Sequence, residues 1–411
     1  MLSAEDNATL TRVGRGTPMG ELMRRYWQPI AAVAQLDESP TRAVRLMGED
    51  LVLYRDTQGK YGLIDRHCAH RRADLSYGIV EDRGLRCHYH GWLYDGAGRC
   101  LQQPFEEIAH PEARFKDRIA ITAYPVEAKA GLLWAYLGPA SPPLVPDWDL
   151  FHEPGYKQIV FAEIPCNWFQ GQENSIDPIH FEWLHSNWSA ALRGQGPRAP
   201  THMKIGFAEF EWGFVYRRVR EDTTEEDELW TVGRVCLWPN CLYTGKFEWR
   251  VPIDDENTLH VAWFNDPVPG PAPFEQERIP YWYGPVTDRE TGRFITSHVM
   301  NQDFVAWVGQ GTIADRTQEH LGESDRGVIM LRKRMLEEAA VVASGGEPKA
   351  IIRDPARNHA LSLARVRQGR GAPMGVQPDR PRPMLWHAGQ PREIAEEIER
   401  IWAERSGARR A

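Results

Sequence analysis

The stretch CAHRRADLSYGIVEDRGLRCHYHGW, Cys68 to Trp92, limits this chain more than any other. Two short loops, Cys68-x-His70 and Cys87-x-x-His90, each offer one thiolate and one imidazole, so the fold must bring the loops together if they share a metal. Zinc knuckles sort their ligands differently, with two Cys on one knuckle and two His on a helix. The mixed sorting suits a [2Fe–2S] centre in which two thiolates hold one iron and two imidazoles the other. Neutral imidazoles leave such a cluster less negative, which raises its potential and lets it accept electrons from a ferredoxin-like donor. His67 and His88 lie in the same loops but out of register, and read as hydrogen-bonding or exposed side chains. Tyr89, Gly91 and Trp92 are expected to pack against the cluster and shield it. The other cysteines, Cys100, Cys166, Cys236 and Cys241, show no paired motif and read as small buried residues.

A chain of 411 residues exceeds one ordinary core, so two domains are expected. The seam is GPASPPLVPDW, Gly138 to Trp148, whose prolines favour extended backbone. Before it, VRLMGEDLVLYRD, YGLIDRH, LRCHYHGWLYD and GLLWAYLG read as short strands, preceded by a helix with Thr17 as N-cap and Pro18 in its first turn. After it come the strand-like runs FEWGFVYRRVRED, LWTVGRVCLWP and TLHVAWFND. Helical segments are expected around Gln170 to Trp188 and from Gln302 to Ala339, and a last helix in PREIAEEIERIWAERS. The Pro-, Gly- and Arg-rich tail Arg365 to Arg382 is expected to wrap over a surface. The fold class is thus α+β, a small all-β domain followed by a larger mixed one.

A net charge of −8 with no basic stripe argues against nucleic-acid binding. No apolar run is long enough to span a membrane, and MLSAEDNATLTRVGRG lacks the apolar core of a signal peptide. Six Cys without such a signal suit a reducing cytoplasm.

A second constellation lies in CNWFQGQENSIDPIHFEWLHSNW, where Asn174, Asp177, His180 and His185 form N-x-x-D-x-x-H-x4-H. Two histidines from one segment and a carboxylate from elsewhere make the facial triad of non-haem Fe(II) oxygenases, which leaves the opposite positions open for oxygen. Pro178 biases Asp177 away from helical geometry, so a helix restarts there with Asp177 as its cap. Residues five apart lie about 140° apart on an ideal helix, so His180 and His185 converge only if that helix is distorted. Taken alone, H-x4-H in an aromatic segment is more often a pair of core histidines; the iron–sulfur motif beside it reverses that weighting.

Together these motifs resemble the oxygenase (α) component of the Rieske non-haem iron oxygenases over nearly the whole chain. The resemblance implies an N-terminal Rieske domain over about residues 1–140 (core about 27–138), a linker over 138–149 and a helix-grip, START-like catalytic domain over 150–411. It also implies that Cys68, His70, Cys87 and His90 hold the [2Fe–2S] cluster, and that His180 and His185 hold a mononuclear iron. The third iron ligand belongs on a late helix, where NQDFVAWVGQGTIADRTQEHLGESD offers Asp303, Asp315 and Asp325. Asp303 matches the family position best; Asp315 reads as a salt-bridge partner of Arg316, and Asp325 as a cap. Asp177 is implied to bridge His180 to a cluster ligand, by position His90, of a neighbouring subunit in a homotrimer, and Asn174 to stand behind the iron as a hydrogen-bonding group.

Gly14, Gly16 and Gly20 miss the dinucleotide spacing, and no second Cys-rich ferredoxin motif occurs. Electrons from NAD(P)H must then arrive through a separate flavin and iron–sulfur reductase. MLSAEDNATLTRVGRGTPMGELMRRYWQP, HRRADLSYG and DRTQEHLGESDRG are similar to the phthalate-dioxygenase-like branch, which acts on aromatic acids. Within it, IVFAEIPCNWFQGQENSIDPIHFEW and LWTVGRVCLWPNCLYTG are most similar to members that O-demethylate methoxylated, lignin-derived biaryls and release formaldehyde. Ring cis-dihydroxylation uses the same iron and electrons and stays open; an electron carrier without oxygenase activity and a zinc-knuckle interaction protein are the remoter readings. A dianionic biaryl needs cationic anchors, for which Lys204, Arg234 and Arg250 are candidates, although each reads first as a surface or salt-bridge residue. Trp230, Trp238 and Trp249 read as core.

Overall fold

The computed structural model describes residues 2–367 and 386–406, so most of the Arg365–Arg382 tail lies outside the described residues. The chain divides into two compact units, one of residues 24–145 and one of residues 1–23 with 146–411. The seam falls inside the Pro-rich segment. The N-terminal residues, assigned from the sequence to the cluster domain, belong instead to the larger unit. Their helices Ala4–Thr11 and Pro18–Met23 bury Leu10, Met19, Leu22 and Met23 there and contact the Arg326–Ala343 helix. Pro18 opens its helix as expected, with Gly20 N donating to Thr17 Oγ1.

The smaller unit is built of short antiparallel sheets. Thr41–Leu46, Glu49–Arg55, Tyr61–Asp65 and Ala123–Tyr124 form one; Ile79–Glu81, Gly84–Arg86, Leu93–Tyr94 and Cys100–Gln102 form another. Met47 and Gly48 both take positive φ, which matches the twist of the two-residue hairpin joining Leu46 to Glu49. The core gathers Val52, Tyr54, Ile64, Leu75, Leu85, Trp92 and Tyr94 around Cys68, Cys87 and Cys100. The Cys68 loop leaves the Tyr61–Asp65 strand, and the Cys87–His90 loop joins Gly84–Arg86 to Leu93–Tyr94. Both loops therefore start from a packed strand.

In the larger unit an eight-stranded sheet runs in the order His202–Phe210, Gly213–Arg220, Arg234–Leu237, Cys241–Tyr243, Phe247–Pro252, Thr258–Asp266, Tyr156–Ile164, Tyr281–Tyr283. Every pairing is antiparallel except the last. The Val299–Gly309 helix packs Met300, Phe304 and Trp307 against Ala162, Ile164 and Cys166, and the Trp168–Asn174 helix contacts both that helix and the Phe247–Pro252 strand. The Arg392–Arg405 helix covers Tyr156 with Ile398, Ile401 and Trp402. The segment expected as one helix from Gln302 to Ala339 is two, because Gly311 at φ +95 ends the first after Gly309. Similarly, the start of LWTVGRVCLWP lies in the helical turn Glu228–Thr231, and strand begins only after Gly233, at φ +79. Among the described residues no helix is long and apolar enough to cross a membrane.

Candidate active site

The two Cys-plus-His loops meet within the smaller unit. Cys68 and Cys87 are buried, and the His70 and His90 rings lie 4.5 Å apart at 74°. Each loop is a tight turn: Arg72 N donates to Cys68 O at 2.9 Å and Gly91 N to Cys87 O at 3.0 Å. Tyr94 Oη lies 3.2 Å from Cys68 Sγ and accepts from Ala69 N. The thiols lean on one proton: the hydrogen bond between them pulls Cys87 down to about 5 and pushes Cys68 up. His70 Nδ1 is buried without a hydrogen-bond partner. Two adjacent buried thiols, one of them held low, and an orphaned imidazole nitrogen are a donor set that fits a metal cluster.

Trp92 is buried and stacks on His70 at 4.7 Å, as expected of a shielding residue. Tyr89 does not shield in that way. It is 56% exposed, tilts over His90 at 3.8 Å and carries the Arg71 guanidinium on its ring. His88 is exposed and His67 half-buried near Asp65.

In the larger unit, the ligand atoms of His180, His185 and Asp303 all lie within 4.8 Å of one another. The required distortion is present: Trp183–Trp188 forms a π-helix directly after the turn His180–Glu182. A π turn takes an extra residue, which carries His185 back to the face of His180, and Ser186 Oγ donates five residues back to Phe181 O. Asp177 Oδ1 accepts from Ile179 N at 2.7 Å and closes a turn over Pro178, but the residue that caps the His180–Glu182 turn is Ile179, not Asp177 as expected. Asp303 Oδ1 stands 3.3 Å from His185 Nε2 and 3.8 Å from His180 Nε2, and accepts from Asn174 Nδ2 at 3.3 Å. Burial would raise its pKa, but His185 and His180 hold it below the usual carboxylate range. Asp177 faces His180 Nδ1 at 3.6 Å and is also held low, burial being outweighed by that histidine.

Asp315 and Asp325 lie elsewhere. Asp315 closes an exposed turn with Thr317, and Arg316, its expected partner, is buried against Glu173 instead. Asp325 caps as expected, accepting from Gly322 N. Among the cationic candidates, Lys204 is 48% exposed, paired with Glu225 and laid on Trp230. Arg250 is fully buried beside Glu248. Arg234 does lie next to this His–His–Asp group, its guanidinium 4.5 Å from the Phe181 ring, which is itself 5.3 Å from the His185 ring. Arg218, not foreseen, joins it at 4.4 Å from the same ring, with a buried Nε that has no partner among the described residues. Only the fold's pairing of neighbouring strands brings these two arginines to one aromatic ring. Trp238 and Trp249 are core.

A cavity of about 700 Å³ opens beside Asn174, Asp177 and His180, walled by Trp183, Leu184 and Trp188. His185 and Asp303 do not line it. Its acidic groups include Asp177 and Asp325, while Glu173 and Glu319 are tied to Arg332.

Residues 26–112 match the Rieske [2Fe-2S] domain, and residues 275–362 the LigXa C-terminal domain like family. The 5,5'-dehydrodivanillate O-demethylase oxygenase subunit of Sphingobium sp. (strain NBRC 103272 / SYK-6) is 59% identical over 89% of this chain and 87% of its own length. The chain belongs to the Rieske non-haem iron oxygenases. The phthalate 4,5-dioxygenase oxygenase subunit of Pseudomonas putida, at 36% identity over 84% of this chain and 88% of its own, lies in the same family. The terminal oxygenase of carbazole 1,9a-dioxygenase from Nocardioides aromaticivorans IC177 shares the fold, with a TM-score of 0.55 at 19% identity over 81% of this chain and 98% of its own. As a member of this family the chain is an O2-dependent oxygenase subunit with a [2Fe–2S] cluster and a mononuclear non-haem iron. The two donor sets described above suit those two groups.

Proposed function

We propose that this chain is the terminal oxygenase of an O-demethylase acting on a methoxylated, lignin-derived biaryl acid such as 5,5′-dehydrodivanillate. The observation that carries the reading is the 59% identity, over 89% of the chain, to an oxygenase subunit named for that reaction. The balance is one aryl methyl ether, O2, two electrons and two protons giving a phenol, formaldehyde and water. The cluster supplies electrons and the mononuclear iron activates oxygen. Cys68 and Cys87 would hold one iron of the cluster and His70 and His90 the other; His180, His185 and Asp303 would hold the mononuclear iron.

The remaining residues act by position and charge. Arg218 and Arg234 put two guanidinium groups on Phe181 beside the ligands, an environment that favours an anionic substrate. Asp177 would bridge His180 to His90 of a neighbouring copy in a homotrimer. The cavity at Asp177 supports this: it is acidic and walled by tryptophans, and the cluster loops present the complementary Arg71, Arg72 and Tyr89. The electron source would be a separate flavin and iron–sulfur reductase, and six free thiols suit a reducing cytoplasm.

Steady-state turnover with a reductase, comparing 5,5′-dehydrodivanillate with phthalate by mass spectrometry, tests the reading. Formaldehyde and a product lighter by one methylene are expected from the biaryl. A dihydrodiol from phthalate, with the biaryl untouched, would replace O-demethylation by ring dioxygenation.

A further inference from the structure

We propose that Gln302 is a positioning residue that decides which nitrogen of His185 is free for the metal; the inference rests on the ligand reading above. Gln302 precedes Asp303 on the Val299–Gly309 helix and is buried. Its Nε2 donates to Thr296 O at 2.9 Å and to Ser189 Oγ at 2.6 Å. A backbone carbonyl only accepts, so the amide nitrogen must be the atom that faces Thr296. The amide oxygen is thereby turned to His185 Nδ1, at 3.1 Å. An amide oxygen also only accepts, so Nδ1 must carry the hydrogen. The lone pair is left on Nε2, the atom 3.3 Å from Asp303 Oδ1. One peptide carbonyl on the 296 turn thus fixes the tautomer of a histidine on the π turn.

His180 is held in another way. Its Nδ1 faces the carboxylate of Asp177 rather than a neutral amide. The two imidazoles accordingly differ in what backs them, a carboxylate on one arm and a fixed dipole on the other. A carboxylate raises ligand basicity and can respond to its surroundings; the amide holds orientation without adding charge. Ser189, the other end of the amide, lies just past the π turn, so the same side chain also ties that turn to the helix carrying Asp303.

The test uses the full chain with its cluster in place and measures Fe(II) affinity at the mononuclear site by anaerobic competition with a colorimetric chelator. Gln302→Met keeps the size but offers His185 only a weak thioether acceptor in place of the amide oxygen, and should weaken iron binding about 10–100-fold. Cluster absorbance should stay unchanged, and the thermal midpoint of the iron-stripped protein should fall by only a few degrees, as the lost bonds to Ser189 and Thr296 require. Gln302→Glu gives up the donor to Thr296 O but keeps an oxygen that accepts from Nδ1, and should restore affinity to within about tenfold of the parent value. Parent-like affinity in Gln302→Met would overturn the inference, as would Gln302→Glu binding as weakly as Gln302→Met. If Gln302→Met does not fold, Gln302→Glu decides alone: a loss of more than about tenfold there overturns the inference. His180→Ala keeps the two readings apart. If it retains iron, the ligand set is wrong. If it loses iron while Gln302→Met binds normally, only the role of Gln302 falls.

Discussion

At the scale of single residues, the metal-type side chains were legible because their chemistry restricts residue type and spacing. Cys68, His70, Cys87 and His90 announce a mixed-ligand cluster, and His180 and His185 a second site. The carboxylate Asp303 was legible only by resemblance, since it lies on another helix far along the chain. Gln302, Arg218 and the Tyr94 hydroxyl carried no local signal; each matters through what the fold sets opposite it. Tyr94 gives a direct prediction. Its hydroxyl lies 3.2 Å from Cys68 Sγ, and donors to cluster sulfurs raise the potential, so Tyr94→Phe should lower the cluster's midpoint in a redox titration. An unchanged midpoint would mean the hydroxyl serves only Ala69 N. Asp177→Asn should leave both iron centres occupied and cut turnover about 10–100-fold or more, measured with reductase and substrate in excess. Full turnover in that variant would remove Asp177 as the bridge. Asp74 makes a pH prediction. Its hydrogen bond from Arg66 holds it at about 2, below the ordinary carboxylate value, so its contribution is complete above about pH 4 and is lost as pH falls towards 2. Asp74→Asn should flatten that part of the acid-stability curve of the cluster unit; an unaltered curve would contradict the pairing.

Among the elements, the π-helix Trp183–Trp188 resolves a conflict visible in the sequence, where two histidines five apart cannot share the face of a regular helix. Inserting one alanine after Leu184 should put the two histidines six apart, about 240° around an α-helix, and swing His185 away. Iron should be lost from the mononuclear site with the cluster retained, as read by metal analysis and visible absorbance. The break between Val299–Gly309 and Arg326–Ala343 was not legible, because the apolar spacing continues on both sides and only the conformation of Gly311 ends the first helix. Nor was the partner of Arg316. Glu173 takes both Arg316 and Arg332 in a buried network that also reaches Asn7, tying the N-terminal helix to the segment that carries Asn174. This is why residues 1–23 belong with the larger unit. Glu173→Gln leaves Arg316 buried without a carboxylate and Arg332 with Glu319 alone, and should destabilise that unit by about 3–5 kcal/mol in urea unfolding. A loss under about 1 kcal/mol would mean the network is solvated.

For the molecule as a whole, the division into a β-rich cluster unit and a sheet-and-helix catalytic unit was legible from strand spacing and the Pro-rich seam. The assignment of the N-terminus was not, since its burial depends on a long-range ion network. Both units exist to hold donor sets, and the account stands on their acting together in one reaction. The most direct measurement is a single turnover: protein with its cluster reduced anaerobically is mixed with oxygen and 5,5′-dehydrodivanillate, and formaldehyde per cluster oxidised is read in the parent and in His180→Ala. The account predicts cluster oxidation coupled to formaldehyde in the parent, and neither product nor coupled oxidation in His180→Ala. Formaldehyde from His180→Ala at the parent level, or cluster oxidation without any product in the parent, would contradict it.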